Sequence, residues 1–387
     1  MYSLIKYIVS LVLLALPFAH QGLAAAAPDT QEYVLREVWR SDPDTPPFYR
    51  TLSDFVLVGD ELFVLDKRSF VVSVFSIEDG HHIRDLDIHG EGPGELSSVV
   101  SMESISADTL GIFSPFGPSL VLVDADVGGP SYEYGNSRVT FSYEGERDFV
   151  HSYRCEYKGG KFYYSGKDLA SEELFLARAD LSSESRVMIF YSMPARSRFL
   201  GGPPVIDEGD SYIFNAKNWC VGDSGRVYFS EVRCGHGQLQ IVVYEGDRKA
   251  RIISHPYESR RRSEAEKKAI RNNELGGERY YRQYSAQGGI IQIDAYDPDV
   301  LDLFEYENRL WVQTSRSNEY SDGRCYDVFS PYGSFLGQHI LKMDGVDWRH
   351  DQAFFLGDWI VVVKGLDQKE TLHFIVTAKE ETTGVSH

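Results

Sequence analysis

Four short segments follow one another closely in the sequence: Gly59-Asp-Glu-Leu-Phe-Val-Leu-Asp66, Val72-Ser-Val-Phe-Ser76, Glu78-Asp-Gly80 and His82-Ile-Arg-Asp-Leu-Asp-Ile88. Two β-rich runs come first, a tight Asp-Gly turn follows, and a third β-rich run ends the unit. This order is typical of an antiparallel meander, in which neighbouring strands are joined by short turns.

The same pattern recurs along the chain, and recurrence at a long period indicates a repeat fold. Clear copies occupy 222–254 and 307–340, and weaker copies centre on Leu110, Phe162 and Ile360. Together with the first unit these are six copies. A blade of four short strands takes about 40–50 residues, so the longer intervals that end at Val227 and Leu310 must contain insertions.

The second long interval contains a predicted helix. Ser263-Glu-Ala-Glu266 is a capping-box pattern, in which serine and glutamate satisfy free amides at a helix start, and Gly276-Gly277 ends the segment. Arg260-Arg-Arg262 precedes it, and we interpret this run as a solvated approach to the helix, with contact to an acidic ligand as the alternative. The sequence thus predicts one helical insertion, at about 259–276, between the fourth and fifth copies.

The two ends of the chain complement each other. The last copy lacks material for a fourth strand after 372–377, whereas an unassigned β-rich run lies near the N-terminus at 33–39. A ring of blades keeps no open edge when an N-terminal strand completes the last blade. We therefore expect these two runs to pair.

The unit DELFVLD…VVSVFSIEDGHHIRDLDIHGEGPGEL, at 60–96, resembles the bacterial six-bladed propeller proteins related to NHL repeats, as do NRLWVQT and YDVFSPYGSFLG at 308–314 and 326–337. The resemblance implies an all-β fold over 27–387: a six-bladed β-propeller closed by an N-terminal strand, with one helical insertion between blades 4 and 5. No Asp-Gly turn follows 121–123 or 174–176, so the bounds of blades 2 and 3 stay open.

The N-terminus has the layout of a secretory signal peptide. Lys6 precedes an apolar run at 7–18, and small residues follow at 24–27. We expect cleavage near Ala26, so that residues 1–26 are removed and the mature protein, periplasmic or extracellular, is not inserted in a membrane.

The formal net charge of −19 excludes two classes of partner. Nucleic acids and anionic membrane surfaces would be repelled by such a chain. The four cysteines, Cys155, Cys220, Cys234 and Cys325, lack the paired spacing of a zinc site and allow three disulfide pairings, among which the sequence does not choose.

Local motifs carry little chemistry. Gly90-Glu-Gly-Pro-Gly-Glu95 lacks the lysine of a P-loop and fits a crossover turn between blades. His81 and His82 are adjacent in sequence and would point to opposite faces of a strand, so they are poorly placed to chelate one ion. No serine lies in a Gly-x-Ser-x-Gly elbow, so the sequence does not point to a serine hydrolase.

The mouth of the central channel, where the innermost strand of each blade begins, is the place where a site would be assembled from several blades. Four candidate residues lie seven positions before the start of the second strand of their copies: Asp54, Arg154, Trp219 and Asp302. Polar packing between blades would produce the same pattern.

Three functions are consistent with these observations. The first is an exported binding or interaction scaffold for a protein or small-molecule ligand. The second is a metal-dependent, lactonase-like propeller hydrolase or lyase with a divalent ion such as Ca²⁺ in the channel, built from single residues on several blades. The third is a structural partner in a surface complex that uses the helical insertion as its contact.

Overall fold

A computed structural model describes the protein over residues 30–44, 47, 49, 51–90, 95–99, 101–114, 119–126, 138–140, 150–168, 171–181, 187–195, 205–207, 218–230, 237–273, 290–316, 323–348, 350–365 and 372–381. The predicted signal peptide, most of the glycine-rich loop at 90–95, Cys234 and Gly276-Gly277 lie outside these residues. The described part of the chain contains twenty-six strands and one helix.

The first strand belongs to the N-terminal run, and three antiparallel four-stranded sheets follow it. The strands are β1 (Thr30–Arg40); β2 (Leu52–Val58), β3 (Glu61–Asp66), β4 (Val71–Ser76) and β5 (His82–Asp87); β6 (Ser101–Ser104), β7 (Thr109–Ser114), β8 (Ser119–Asp124) and β9 (Arg138–Thr140); β10 (Val150–Lys158), β11 (Lys161–Asp168), β12 (Glu173–Asp180) and β13 (Val187–Pro194). In each sheet the strands pair in chain order, so the meander predicted from 59–88 is present.

The second half of the chain adds further sheets and the helix. Its elements are β14 (Val205–Asp207); β15 (Trp219–Val221), β16 (Arg226–Phe229), β17 (Gln238–Glu245) and β18 (Arg248–Pro256); α1 (Glu264–Asn273) and β19 (Ile290–Gln292); β20 (Val300–Tyr306), β21 (Arg309–Thr314), β22 (Arg324–Phe329) and β23 (Phe335–Lys342); β24 (Gln352–Leu356), β25 (Trp359–Lys364) and β26 (His373–Glu381). Strands β15–β18 form a fourth meander, and β14 pairs in parallel with β19.

Strand β1 joins the last two groups of strands into one eight-stranded sheet. It pairs antiparallel with β26, where Glu37 lies opposite Thr377 and Trp39 opposite Val376, which confirms the predicted pairing of the N-terminal run with the C-terminal one. It also pairs in parallel with β23, a contact that the sequence did not indicate. Both neighbouring edges are therefore covered.

Strand β1 also reaches the first sheet. The indole N–H of Trp39 donates to the Ile77 carbonyl at 2.7 Å, and its ring lies against the Asp-Gly turn between β4 and β5. Gly80 in that turn has a φ of +73°, and a Cβ there would stand 2.5 Å from the Trp39 ring. Both the conformation and the contact require glycine at this position.

The sheets pack against one another through apolar side chains on both of their faces. In β21, Leu310 and Trp311 are both fully buried, but Leu310 packs towards β15–β18 and Trp311 towards β24–β26. This arrangement explains why the second strands read as continuous apolar runs rather than as alternating ones.

The helical insertion begins as predicted. The Ser263 amide donates to Glu266 Oε2 at 2.7 Å, and the Glu266 amide donates to Ser263 Oγ at 3.3 Å, which confirms the capping box. The Ser263 amide, followed by Arg260, lowers the pKa of Glu266 to about 2. The one helix in the described part of the chain lacks the length and apolar character that a membrane span requires.

The interpretation of 260–262 as a solvated run is wrong for Arg262. Its side chain is buried and forms an ion pair with Asp297 at 2.5 Å, while Arg260 pairs with both Asp297 and Glu266. Arg261 alone of the three is exposed. The run therefore anchors the insertion, because the start of the insertion is tied through Asp297 to its end.

Candidate functional site

The first strand of each sheet lies against the first strands of its neighbours. In order, β24 contacts β2, β2 contacts β6, β6 contacts β10, β10 contacts β15, and β15 contacts β20. The rings of Phe304 in β20 and Phe355 in β24 are 4.5 Å apart. Side chains on these inner strands can therefore meet although they are far apart in sequence.

Three of the four predicted site residues occupy equivalent positions on these strands. Asp54, Arg154 and Asp302 each come directly after a β-bulge in the inner strand. Their partners in the second strands are, in the same order, Leu65, Ser165 and Gln313. A bulge inserts one residue and changes the direction of the next side chain, and bulges are common beside functional sites.

The fourth predicted residue, Trp219, differs by one position from this set. It pairs with Phe229, whereas Asn218 lies beside Ser230 and donates through Nδ2 to the Ser230 carbonyl at 2.9 Å. The reason is the turn at 223–225, which is one residue longer than the turns that follow the inner strands of Asp54, Arg154 and Asp302. A position counted back from the second strand is therefore shifted by one residue. Asn218 therefore holds the equivalent polar position.

Trp219 still contacts the site, but through its backbone and ring rather than as a polar side chain. Its carbonyl accepts a hydrogen bond from Arg154 Nη1 at 3.2 Å, and the guanidinium lies 5.5 Å from the ring centroid. The indole itself is 1% exposed and packs among apolar residues between the third and fourth sheets.

Arg154 is the positive centre of the site. Its Nη2 forms an ion pair with Glu156 Oε1 at 2.5 Å, and its side chain is 27% exposed. Burial lowers the pKa of Arg154, but the charges of Glu156 and then Asp302 outweigh burial, so the pKa is raised overall. The guanidinium remains charged and contacts both Glu156 and the Trp219 carbonyl.

Two carboxylates link neighbouring inner strands through backbone amides. Asp54 accepts from the amides of Met102 at 2.7 Å and Phe55 at 3.0 Å, and Glu156 accepts from the Val221 amide at 2.7 Å. Burial raises the pKa of Asp54 to about 6 in spite of these amides, and burial is also the main reason why the pKa of Glu156 is raised.

Glu103 lies on β6, between Asp54 on β2 and Glu156 on β10, and accepts no backbone amide of this kind among the described residues. It is half-buried and forms no hydrogen bond or ion pair with any described residue. Its pKa lies well above the usual range because of burial first, and then because of the charges of Asp54 and Glu156. We call Asp54, Glu103, Arg154 and Glu156 the inner-strand cluster.

Sequence reasoning missed Glu103 and Glu156. Glu156 lies two residues after Arg154, and Glu103 two residues after Ser101, which occupies in β6 the place of Arg154 in β10. Side chains two positions apart in a strand share a face, so the period of two was the signal that could have identified both. The second copy carried no clear turn, and without its register Glu103 could not be aligned.

Two thiols border the cluster. Cys155 and Cys220 are buried and free, and burial raises the pKa of both thiols above the usual range. Neither residue therefore forms a disulfide. Each of the three pairings that the sequence left open requires both residues to be bonded, so none of the three is fully formed.

The remaining sequence motifs lie away from the cluster. His82 Nε2 pairs with Asp85 Oδ1 at 2.9 Å beside an exposed turn, and His89 and Leu96 bridge the two ends of the glycine-rich crossover. Within the described ranges, no group of three or more His, Cys, Asp or Glu residues is placed to hold a metal ion.

Comparison with known proteins adds fold information only. No family model matches the sequence, and no curated protein matches it. Among solved structures, a member of the DUF4221 family from Bacteroides vulgatus is 11% identical with a TM-score of 0.50, covering 92% of this chain and 100% of that one.

Two further structures are similar. The calcium-binding protein regucalcin from Agrobacterium tumefaciens is 10% identical, with a TM-score of 0.47, over 90% of this chain and 96% of that one. The β-propeller domain of Cps50 (Swd1) from Myceliophteria thermophila is 12% identical, with a TM-score of 0.42, over 88% and 90%. The described part of the chain is nearly all-β, with one helix.

Proposed function

We propose that residues 27–387 form a single six-bladed β-propeller of the NHL-like kind, closed by β1. The contacts that run from one inner strand to the next support six blades around a common channel. The pairing of β1 with β26 supports closure, since a complete ring removes open strand edges. We also propose that the protein acts outside the cytoplasm after loss of residues 1–26, as the N-terminal pattern indicates.

Within this architecture the protein serves as a binding scaffold whose ligand enters the channel and contacts the inner-strand cluster. The observation that carries this proposal is the cluster itself: three carboxylates share one arginine on three neighbouring inner strands. Buried ionisable groups are costly to fold, and strongly perturbed pKa values in a concave site are a mark of functional positions. The apolar packing between sheets does not need these charges.

The connections between strands suggest which end of the channel is the entrance. At one end the first and second strands are joined by tight turns, for example at 59–60, 159–160 and 307–308. The inner strands β15 and β20 begin at the other end, and each follows a long connection in the sequence, at 195–218 and 257–299. Binding residues concentrate on loops held by a rigid scaffold, so the anchored insertion would border the ligand's path.

A thermal-shift screen with charged and neutral solutes tests this proposal. Butylammonium, butyrate, glucose and glycine would each be added to the mature protein and to the variant Asp54→Asn. We expect at least one solute to raise the melting temperature of the parent, and the variant to lose most of that shift. Asp60→Asn, in an exposed turn at the opposite end, is the matched control. If no solute distinguishes Asp54→Asn from Asp60→Asn, the channel is not the binding site.

A further inference from the structure

Glu103 differs from the other members of the inner-strand cluster in how its oxygens are used. Both carboxylate oxygens of Asp54 accept backbone amides, and those of Glu156 are divided between Arg154 and the Val221 amide. Glu103 has no described partner for either oxygen. The charges of Arg154 and Lys158 lower the pKa of Glu103 somewhat, but no cation among the described residues forms an ion pair with its oxygens.

A second observation beside Glu103 concerns a neutral side chain. Ser101 is 7% exposed, and its buried Oγ makes no hydrogen bond of ordinary geometry with any residue that the structure describes. It lies beside the Cys155 thiol, which is a weak hydrogen-bonding group. Because Ser101 and Glu103 are two residues apart in β6, both side chains project from the same side of the strand, towards β10.

The number of hydrogen-bond acceptors at Glu103 and Ser101, together with their charge, indicates a class of ligand. An ammonium group has three N–H donors and one positive charge, and it needs about three acceptors. The two oxygens of Glu103 and the hydroxyl of Ser101 supply three acceptors and one negative charge. A hard divalent cation such as Ca²⁺ would need six or more oxygen ligands, and the oxygens of Asp54 and Glu156 are already engaged.

We propose that the channel wall at β6 binds the ammonium group of an organic amine, with Glu103 and Ser101 as its acceptors. This inference rests on the proposed binding function and names the class of ligand. The apolar remainder of the ligand would extend along the channel. Arg154 would keep Glu156 away from the amine, so the selectivity of the site would depend on Glu103.

Binding should depend on pH in a defined direction. The groups that face Glu103 are Asp54 from β2 and Arg154, Cys155, Glu156 and Lys158 from β10. The ammonium ion requires the ionised form of Glu103, whose protonated form persists above the usual range. Affinity should therefore rise with pH until Glu103 is fully ionised, and binding below that point should release a proton to the buffer.

Isothermal titration of the mature protein with butylammonium chloride tests the inference at pH 6.5 and 8.0. We expect saturable binding that is tighter at pH 8.0, and no heat from butyrate or butanol. The variant Glu103→Gln should bind at least about tenfold more weakly and lose the pH dependence, and Ser101→Ala should bind about two- to fivefold more weakly. Glu78→Gln, which removes the same charge from an exposed turn, should bind as the parent does.

Several results would overturn the inference. Absence of butylammonium binding to the parent, equal weakening by Glu78→Gln, or unchanged affinity in a folded Glu103→Gln protein would each reject an amine site at Glu103. If butyrate or glucose instead gave a thermal shift that Asp54→Asn abolished, the proposed binding function would stand and only the ligand class would be wrong. Failure of every solute would reject both.

Discussion

Strand β21 is the second strand of its group, whereas strand β10 is the inner strand of its sheet, and the two strands carry opposite kinds of side chain. In β21, Leu310 and Trp311 are fully buried between apolar neighbours. In β10, Arg154 and Glu156 carry charges that bond to the backbone of β15, and burial raises the pKa of Glu156. The difference indicates that the second strands supply stability, while the inner strands carry polar groups that are costly to bury.

The largest expected effect comes from removing β1, which belongs to the stabilising class. Deletion of 30–40 uncovers the edges of β23 and β26 and removes the buried Tyr33, Leu35 and Trp39. Burial of such side chains contributes about 1.5–3 kcal/mol each, so we expect a loss of at least about 5 kcal/mol in the free energy of unfolding. Urea denaturation measures it, and Val34→Ser on the exposed face of β1 serves as the control. A midpoint equal to that of Val34→Ser would show that β1 does not close the fold.

The next effect tests β21 directly. Trp311→Ala creates a cavity between β20–β23 and β24–β26, and large-to-small changes of this kind cost about 3–5 kcal/mol. Tyr332, which is 75% exposed, supplies the control Tyr332→Ala, expected within about 0.5 kcal/mol of the parent. Similar denaturation midpoints for the two variants would remove the contrast drawn above.

A third prediction extends the comparison to a buried charge outside the inner strands. Arg262→Ala leaves the buried Asp297 with only Arg260 as its ion-pair partner, and we expect a loss of about 2–3 kcal/mol. Arg261→Ala, one residue earlier and exposed, should change stability by less than about 0.5 kcal/mol. Thermal denaturation of the two variants decides it, and equal stability would mean that Asp297 does not anchor the insertion.

The smallest effect concerns the inner strands and appears as a pH dependence. The pKa of Asp54 is raised from 3.8 to about 6 by burial, so between these values the folded protein binds more protons than the unfolded chain. Its contribution to stability is therefore favourable at low pH and is lost as the pH rises towards 6. Asp54→Asn should gain about 1–2 kcal/mol relative to the parent between pH 4.5 and pH 7.5, after allowance for partial solvent exposure.

Chemical denaturation of the parent and Asp54→Asn at the two pH values measures this difference. Asp60→Asn, in an exposed turn, should show no comparable change. A constant difference between the parent and Asp54→Asn at both pH values would mean that the inner strand does not pay an electrostatic penalty, and the contrast with β21 would weaken.

Local sequence information determined the elements of this protein. Alternating and continuous apolar runs, the Asp-Gly turn at Gly80 and the Ser263–Glu266 capping box each express a preference of residues within a few positions of one another, and the structure contains all of them. The pairing of 33–39 with the C-terminal run was also predictable, because the last sequence repeat lacked a fourth strand and the run at 33–39 belonged to no repeat.

Tertiary structure alone decided the contents of the site. Because the turn at 223–225 has one extra residue, Asn218 rather than Trp219 is the residue equivalent to Asp302. No local sequence pattern indicates the length of that turn. Burial of Arg262 and the juxtaposition of Glu103 with Asp54 and Glu156 arise from packing between segments that are distant in sequence. The physical reason is that a side chain's charge state and partners depend on its neighbours in space, whereas its tendency to form a strand or helix depends mainly on its neighbours along the chain.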